Sequence, residues 1–267
     1  MAMHKNSSVT VQNIPIDTLF LDFARSKQST APQDVTQQGV ASSDVFRRLR
    51  ADLLNCHFLP GEKLLFELLR ERYGAGMGKL REALSYLAAE GLVRTETGYG
   101  FRASPVSVAD MLDIAEWRVE FETKAIRNAI SNGDDAWEAE IVSSYHLMAK
   151  IQPTAANADE PGWEEWIRRH QRFHDALVAA CRSPWLLHFR AVLFDQAQRY
   201  RRLSFLHNPR PRMKFEEHHG IMEAVLTRDA EQACLLVEQH IRHTVDTALK
   251  NVPGLKVMQD AERMGKP

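Results

Sequence analysis

PGEKLLFELLRERYGAGMGKLREALSYLAAEGLVRTETGYGFRA, residues 60–103, decides the fold. Pro60-Gly61 turns the chain. A helix follows from about Leu65 to Tyr73, and Gly74-Ala75-Gly76-Met77-Gly78 is a short turn. The next helix, Lys79 to Glu90, spaces Leu80, Ala83, Leu84 and Leu87 along one face, and Gly91 stops it. Leu92–Thr95 and Gly100–Ala103 then pair as a hairpin around Gly98-Tyr99. Upstream, Ser42 or Ser43 caps a helix to about Asn55, with Val45, Phe46, Leu49 and Leu53 at helical spacing. Helix, helix, turn, helix, hairpin is the plan of a helix-turn-helix with a small β-wing.

Outside this stretch the chain is helical. From Val108 onward the periodicity predicts helices over about 108–131, 134–152, 162–182, 184–206, 211–227 and 229–250, with no strand. Asn132-Gly133, the run from Pro153 to Pro161, Ser183-Pro184 and Asn208-Pro209-Arg210-Pro211 interrupt them. The expected fold class is mainly α: an N-terminal winged helix-turn-helix over 41–105 and an all-helical bundle over 106–252. Residues 1–40 are polar and read as a mobile arm, with one apolar segment, Ile14 to Phe23, able to dock. Residues 253–267 read as a tail.

The 267 residues suffice for two domains. The formal net charge of −1 rules out a polycation, so nucleic-acid binding needs a local basic face. Residues 43–105 carry ten basic and eight acidic side chains, which by itself is weak support. Cys56, Cys181 and Cys234 are far apart and form no CxxC, which suggests buried thiols and a reducing cytoplasm. No apolar run of about 18 residues predicts a membrane span, and no secretory signal opens the chain.

The major groove admits one helix, whose first polar side chains reach base edges. Here those are Lys79, Arg81 and Glu82. Arg81 can offer two donors to guanine, and Lys79 suits a phosphate. Arg94, Gly98, Tyr99 and Arg102 can track the backbone from the wing, and Arg47, Arg48 and Arg50 from the first helix. The plainer reading is a solvated Arg81-Glu82 pair on a winged helix that binds protein.

The second half carries spaced histidines. His170 and His174 are four apart, on one helix face. His218 opens a later helix, and His240 lies near the end of the last. Imidazoles from separate helices of a bundle can converge on one transition-metal ion. Four neutral ligands suit Zn²⁺ or Ni²⁺ and leave it cationic, able to attract a carboxylate. Any one histidine alone is more often structural; His146, His188, His207 and His243 are read as surface or packing residues, and His219, about 100° round the helix from His218, is set aside. The pair lacks the glutamate of HExxH, which argues against a metalloprotease.

Together these residues carry a resemblance. PGEKL, a glycine-flanked turn, LREAL, EGLV and a glycine wing, in that order, resemble the GntR family of bacterial transcription regulators. One departure falls in the turn. The family usually has Val-Ser-Arg-Thr-Pro-Val before Arg-Glu-Ala-Leu, and here Met77 stands where a DNA-contacting Arg is usual. Arg118–Glu122 (RVEFE), His170–His174 (HQRFH), Glu217-His218, Arg228–Glu231 and Gln239-His240 resemble the FCD effector domain of the FadR subfamily. That resemblance implies a divalent metal, Zn or Ni, on His170, His174, His218 and His240, with His170 where an Asp is common. It further implies a small organic acid, a dicarboxylate or hydroxy acid, beside the metal. Arg118 then clamps its carboxylate, with Arg199, Tyr200 and Arg201 as candidates from a central helix. A glycine-flanked turn before LREAL together with HxxFH resembles most the carbon-starvation regulator branch, which senses glutarate.

The expected function is a homodimeric repressor that binds a double-stranded DNA operator, with no enzymatic activity and no membrane partner. Three alternatives remain: a metal-dependent enzyme, a winged-helix protein-interaction module with a structural metal site, and a regulator whose histidines are merely structural.

Overall fold

The computed structural model of the chain describes residues 37–96, 100–151, 160–207, 215–252 and 255. Gly98, Tyr99, the arm with Ile14 to Phe23, and nearly all of the tail lie outside the described residues.

The head is built from α1 (Gln37–Leu54), β1 (Lys63–Leu64), α2 (Phe66–Tyr73), α3 (Met77–Ala89), β2 (Val93–Glu96) and β3 (Gly100–Ala103). Helix α1 begins before Ser42 and Ser43, so neither serine is its cap, in contrast to the expectation. Leu49, Leu69, Leu80, Leu84 and Leu87 are fully buried, one row from each of the three helices. Burying each such leucine stabilises by about 1.5–3 kcal/mol. Gly74 closes α2 with a φ of 63° and donates its N–H to the Arg70 carbonyl, a left-handed cap that favours glycine. Gly91, at φ 74°, plays the same part after α3, where Leu92 N–H reaches back to the Leu87 carbonyl.

The sheet order is β1-β3-β2, antiparallel throughout. The expected hairpin is present, and β1 adds a third strand that a two-residue run could not announce. Lys63 pairs with Arg102, and Arg102 with Arg94, so three cations form one row across the sheet.

The second part is the all-helical bundle expected: α4 (Val108–Asn132), α5 (Asp135–Ala149), α6 (Glu160–Leu177), α7 (Pro184–His207), α8 (Phe215–Leu226) and α9 (Ala230–Asn251). Side-chain caps start three of them. Ser107 accepts from the Asp110 N–H, Asp134 from Trp137 and Asp229 from Gln232. Ile126, Ile141, Phe173, Leu177, Ile221, Val225 and Ile241 meet in the main core. Helix α6 ends at Leu177, five residues short of the expected limit, in a turn through Val178–Ala180. The three cysteines are buried and unpaired.

Helix α7 docks the head onto the bundle. Gln196 donates to the Glu90 carbonyl (2.7 Å) and Arg202 to the Asn55 carbonyl (3.2 Å), at the C-terminal ends of α3 and α1. Those carbonyls have no partner within their own helices, so α7 satisfies them. Arg50 bridges Glu90 (2.7 Å) and Asp195.

Candidate functional site

The apolar stripe of α6 runs through Trp163, Ile167, His170, His174 and Leu177, all buried. The two histidines therefore enter the core with the stripe. His218, in the first turn of α8, and His240, on α9, meet them there. One ligand atom from each of the four lies within 4.8 Å of every other, and all four residues are buried. The Nε2 atoms of His170 and His174 face each other at 3.2 Å. Two nitrogens about 2.1 Å from a tetrahedral ion are separated by ~3.4 Å, so small side-chain adjustments bring this set onto one centre. Burial, then the Arg201 charge, then the neighbouring imidazoles push His170 well below the usual imidazole range. Burial and the same ring of imidazoles do so for His174. Neutral imidazoles are the form that ligates. The residues thus fit a transition metal with nitrogen preference.

Glu217 orients the set. Its carboxylate accepts from His240 Nδ1 (3.0 Å) and His243 Nδ1 (3.1 Å). A ring held through Nδ1 presents Nε2 to the cluster, with the imidazole made more basic. His243, expected to be a surface or packing residue, shares that carboxylate.

Three guanidinium groups gather over the ring of Phe194: Arg201 at 4.5 Å, Arg118 at 5.1 Å and Arg190 at 5.6 Å from its centroid. Arg190 has a partner at each of its three nitrogens, donating to Glu122 (2.7 Å), Asp175 (2.8 Å) and the His174 carbonyl (2.8 Å). Arg118 and Arg201 are not. Arg118 donates only Nη2 to Glu122, at 3.4 Å, and its buried Nε has no partner among the described residues. Arg201 Nη1 lies 3.3 Å from His170 Nδ1, and its buried Nε and Nη2 have none. Burial, then repulsion from Arg118, pushes the Arg201 guanidinium down to about 9. Two buried cations with unmet donors beside four imidazoles are a setting that suits an anion.

Arg199 sits elsewhere than expected, whereas Tyr200 lines one pocket together with Arg118. Arg199 donates to the carbonyls of Ser104 and Pro105 (3.0 Å for the latter), and Tyr200 bonds to Ser107 and Asp110. Their polar atoms hold the linker between head and bundle. Arg201, one residue further round α7, faces the histidines instead.

In the head, Lys79 and Arg81 stand in the first turns of α3, behind Gly76, which offers no side-chain cap. Arg81 is exposed over the Phe66 ring at 5.8 Å, and its guanidinium makes no hydrogen bond or ion pair among the described residues. The N-terminal amides of α3 and these cations suit phosphate. Arg94 is exposed on β2. Arg102 pairs with Glu96 (2.7 Å) and donates to the Gly61 carbonyl (2.8 Å), so it also braces the wing. Arg47 pairs with Asp44 at the surface (3.1 Å). Arg50 is committed to Glu90 and Asp195 and is not on the head's outer face. Lys63, exposed in the same row as Arg102 and Arg94, escaped the sequence reading; the PGEKL motif contains it but does not reveal the strand.

Comparison with known proteins agrees with this layout. The profile of the bacterial regulatory proteins of the gntR family matches residues 41–102, and that of the FCD domain residues 113–243. The chain is 40% identical over 206 residues to the HTH-type transcriptional repressor GlaR of Escherichia coli K12, covering 76% of this chain and 93% of that one. It is 38% identical over 200 residues to the HTH-type transcriptional regulator BphR of Paraburkholderia xenovorans LB400, covering 75% and 82%. The solved structure of E. coli McbR/YncC has the same fold, at a TM-score of 0.68 and 19% identity over 79% of this chain and 97% of that one. The chain belongs to the gntR family of bacterial regulatory proteins, with an FCD domain behind its helix-turn-helix, and is a transcriptional regulator, not an enzyme.

Proposed function

We propose that this regulator is a cytoplasmic repressor whose operator affinity is set by a small carboxylate bound beside a divalent metal ion, Zn or Ni, in the helical domain. The observation that carries the reading is the convergence of four buried histidines next to two buried arginines with unmet donors. His170, His174, His218 and His240 hold the ion; when bound, it supplies a cationic Lewis-acid centre for a carboxylate oxygen. Arg118 and Arg201 donate to the same anion, and the Phe194 ring fixes the planes of both guanidinium groups. Burial excludes competing water and strengthens each contact.

Helix α7 carries Arg201 toward the anion and Gln196, Arg199 and Arg202 toward the head. A ligand that favours one placement of α7 therefore biases the placement of the heads, and only by that difference in affinity. Lys63, Lys79, Arg81 and Arg94 contact the duplex, with Arg47 and Arg102 at its edge and Gly98 at the wing tip. Two such heads, related by a two-fold axis in a homodimer, read a pseudo-palindromic operator. The repressor sign follows the printed name of GlaR.

Metal content of the purified protein, measured by mass spectrometry beside His174→Ala, tests the site. About one ion per chain in the wild type, lost in the variant, supports it. No ion in either after incubation with Zn²⁺ or Ni²⁺ removes the metal from the mechanism and leaves DNA binding standing.

A further inference from the structure

Between α4, α7 and α9 a cavity leads away from the histidines. Its wall on α4 includes Met111, Ile114 and Arg118, successive turns of one face. Tyr200 of α7 and Ile241 and Val245 of α9 line the other sides. Among the described residues, Arg118 is the one cation of this lining. It stands at the end nearest the histidine cluster, because it shares the Phe194 ring with Arg201, and Ile241 follows His240 on α9. Met111, two turns back, lies about 10 Å from it along the helix axis.

The two ends differ in what they offer. At the near end, Arg118 Nε is buried without a partner among the described residues, and Nη2 reaches Glu122 only at 3.4 Å. Beyond it the polar groups are already engaged. Tyr200 lines the cavity while its hydroxyl is bonded to Ser107 and Asp110. Thr244 donates its hydroxyl to the His240 carbonyl of its own helix, at 2.9 Å. Met111, Ile114 and Ile241 are buried and apolar. An anion entering here is met by charge at its head and by hydrocarbon along its length. A second carboxylate at the far end would be buried with no cation to meet it.

We propose that this cavity is a tail subsite of the effector site, and that the effector is a hydroxy acid with one carboxylate and an unbranched apolar chain. Its carboxylate lies on the Arg118 side, and its chain runs along α4 toward Met111 and Tyr200. Of the two ligand classes that the resemblance implies, the subsite accepts the hydroxy acid and selects against the dicarboxylate. The proposal deepens the reading of the helical domain as a carboxylate sensor and rests on it.

The test is calorimetric titration of the full-length chain, incubated with Zn²⁺, against acids matched in carbon number. 2-Hydroxybutanoate is compared with malate, 2-hydroxypentanoate with 2-hydroxyglutarate, and 2-hydroxyhexanoate with 2-hydroxyadipate. The acid with one carboxylate binds at least about tenfold more tightly in each pair. Each methylene added between 2-hydroxybutanoate and 2-hydroxyhexanoate tightens binding about fourfold. Ala197→Leu adds bulk to the α7 wall of the cavity and reverses that order, so that the longest chain binds most weakly. If Ala197→Leu fails to fold, the matched pairs on the wild type decide. Diacids that bind as tightly as their matched partners, or a series with no dependence on chain length, overturn the subsite and leave the carboxylate sensor standing. Binding of neither kind of acid overturns both.

Discussion

Arg201 and His170 meet edge to edge: Nη1 of the guanidinium lies 3.3 Å from Nδ1 of the imidazole, and both rest against Phe194. The arginine approaches the ring nitrogen that faces away from the His174 contact, while its Nε and Nη2 stay buried without partners. Replacing Arg201 by Met removes an uncompensated buried charge. Arg201→Met is therefore expected to be as stable as wild type or more stable by about 1–3 kcal/mol in the absence of carboxylate. It keeps the metal, and its affinity for the carboxylate falls at least about tenfold. Calorimetric melting with and without ligand checks both signs. A variant less stable than wild type that still binds the acid contradicts this role.

Glu217 acts through His240. Glu217→Gln keeps a side chain of the same shape but loses the charge that favours Nδ1 protonation, and metal affinity is expected to fall about 10–100-fold. His243→Ala, which removes the outer member of the pair, changes it little. Competition with a chromophoric chelator reads both constants, and equal affinities for Glu217→Gln and wild type would show that the carboxylate only fills space.

Arg50 ties the head to α7. Its loss leaves Asp195, buried in the bundle surface, without its cation. Arg50→Ala is expected to destabilise by about 3 kcal/mol and to shrink the effect of the carboxylate on operator affinity. Denaturant unfolding and operator titration measure the two. Full coupling in a folded Arg50→Ala protein excludes this contact from the relay.

Asp52 sets an acid limit. Burial raises its carboxyl, but bonds from Arg72 (2.8 Å), Tyr73 and His57 (2.9 Å), with the Arg72 charge, outweigh it and hold the group below the usual carboxylate range. A depressed folded value means stabilisation that is full above the unfolded value, about 3.9, and is lost as pH falls through the folded one. Asp52→Asn is expected to be less stable than wild type by about 2 kcal/mol at neutral pH, the gap closing only below pH ~4. A gap independent of pH assigns the effect to packing.

In the head, Arg81→Ala is expected to cost about 1–3 kcal/mol of operator affinity and to relax preference at one base pair. Lys63→Ala weakens all sequences alike and lowers the salt slope by about 1. Fluorescence anisotropy over a salt series separates the two patterns, and an unchanged slope for Lys63→Ala removes it from the contact surface.

The helix-turn-helix and the bundle were legible because each helix carries its own apolar period and several stop at glycine, as at Gly74, Gly91 and Gly133. The histidine quartet was legible from spacing and resemblance together. Choosing among Arg199, Tyr200 and Arg201 was not, because successive helix residues point about 100° apart and only the packing angle of α7 decides which faces the cluster. Glu217 was hidden for a similar reason: its partners lie 23 and 26 residues away on another helix. Lys63 depends on a strand of two residues, too short to show a period.

The most direct test of the central claim is operator affinity of the metal-loaded protein, with a duplex selected by the protein from a random pool, titrated with a panel of small dicarboxylates and hydroxy acids. At least one is expected to shift the dissociation constant by about tenfold or more, in wild type but not in Arg201→Met or after metal removal. An affinity that ignores every acid in the panel, in protein shown to carry its metal, contradicts the account.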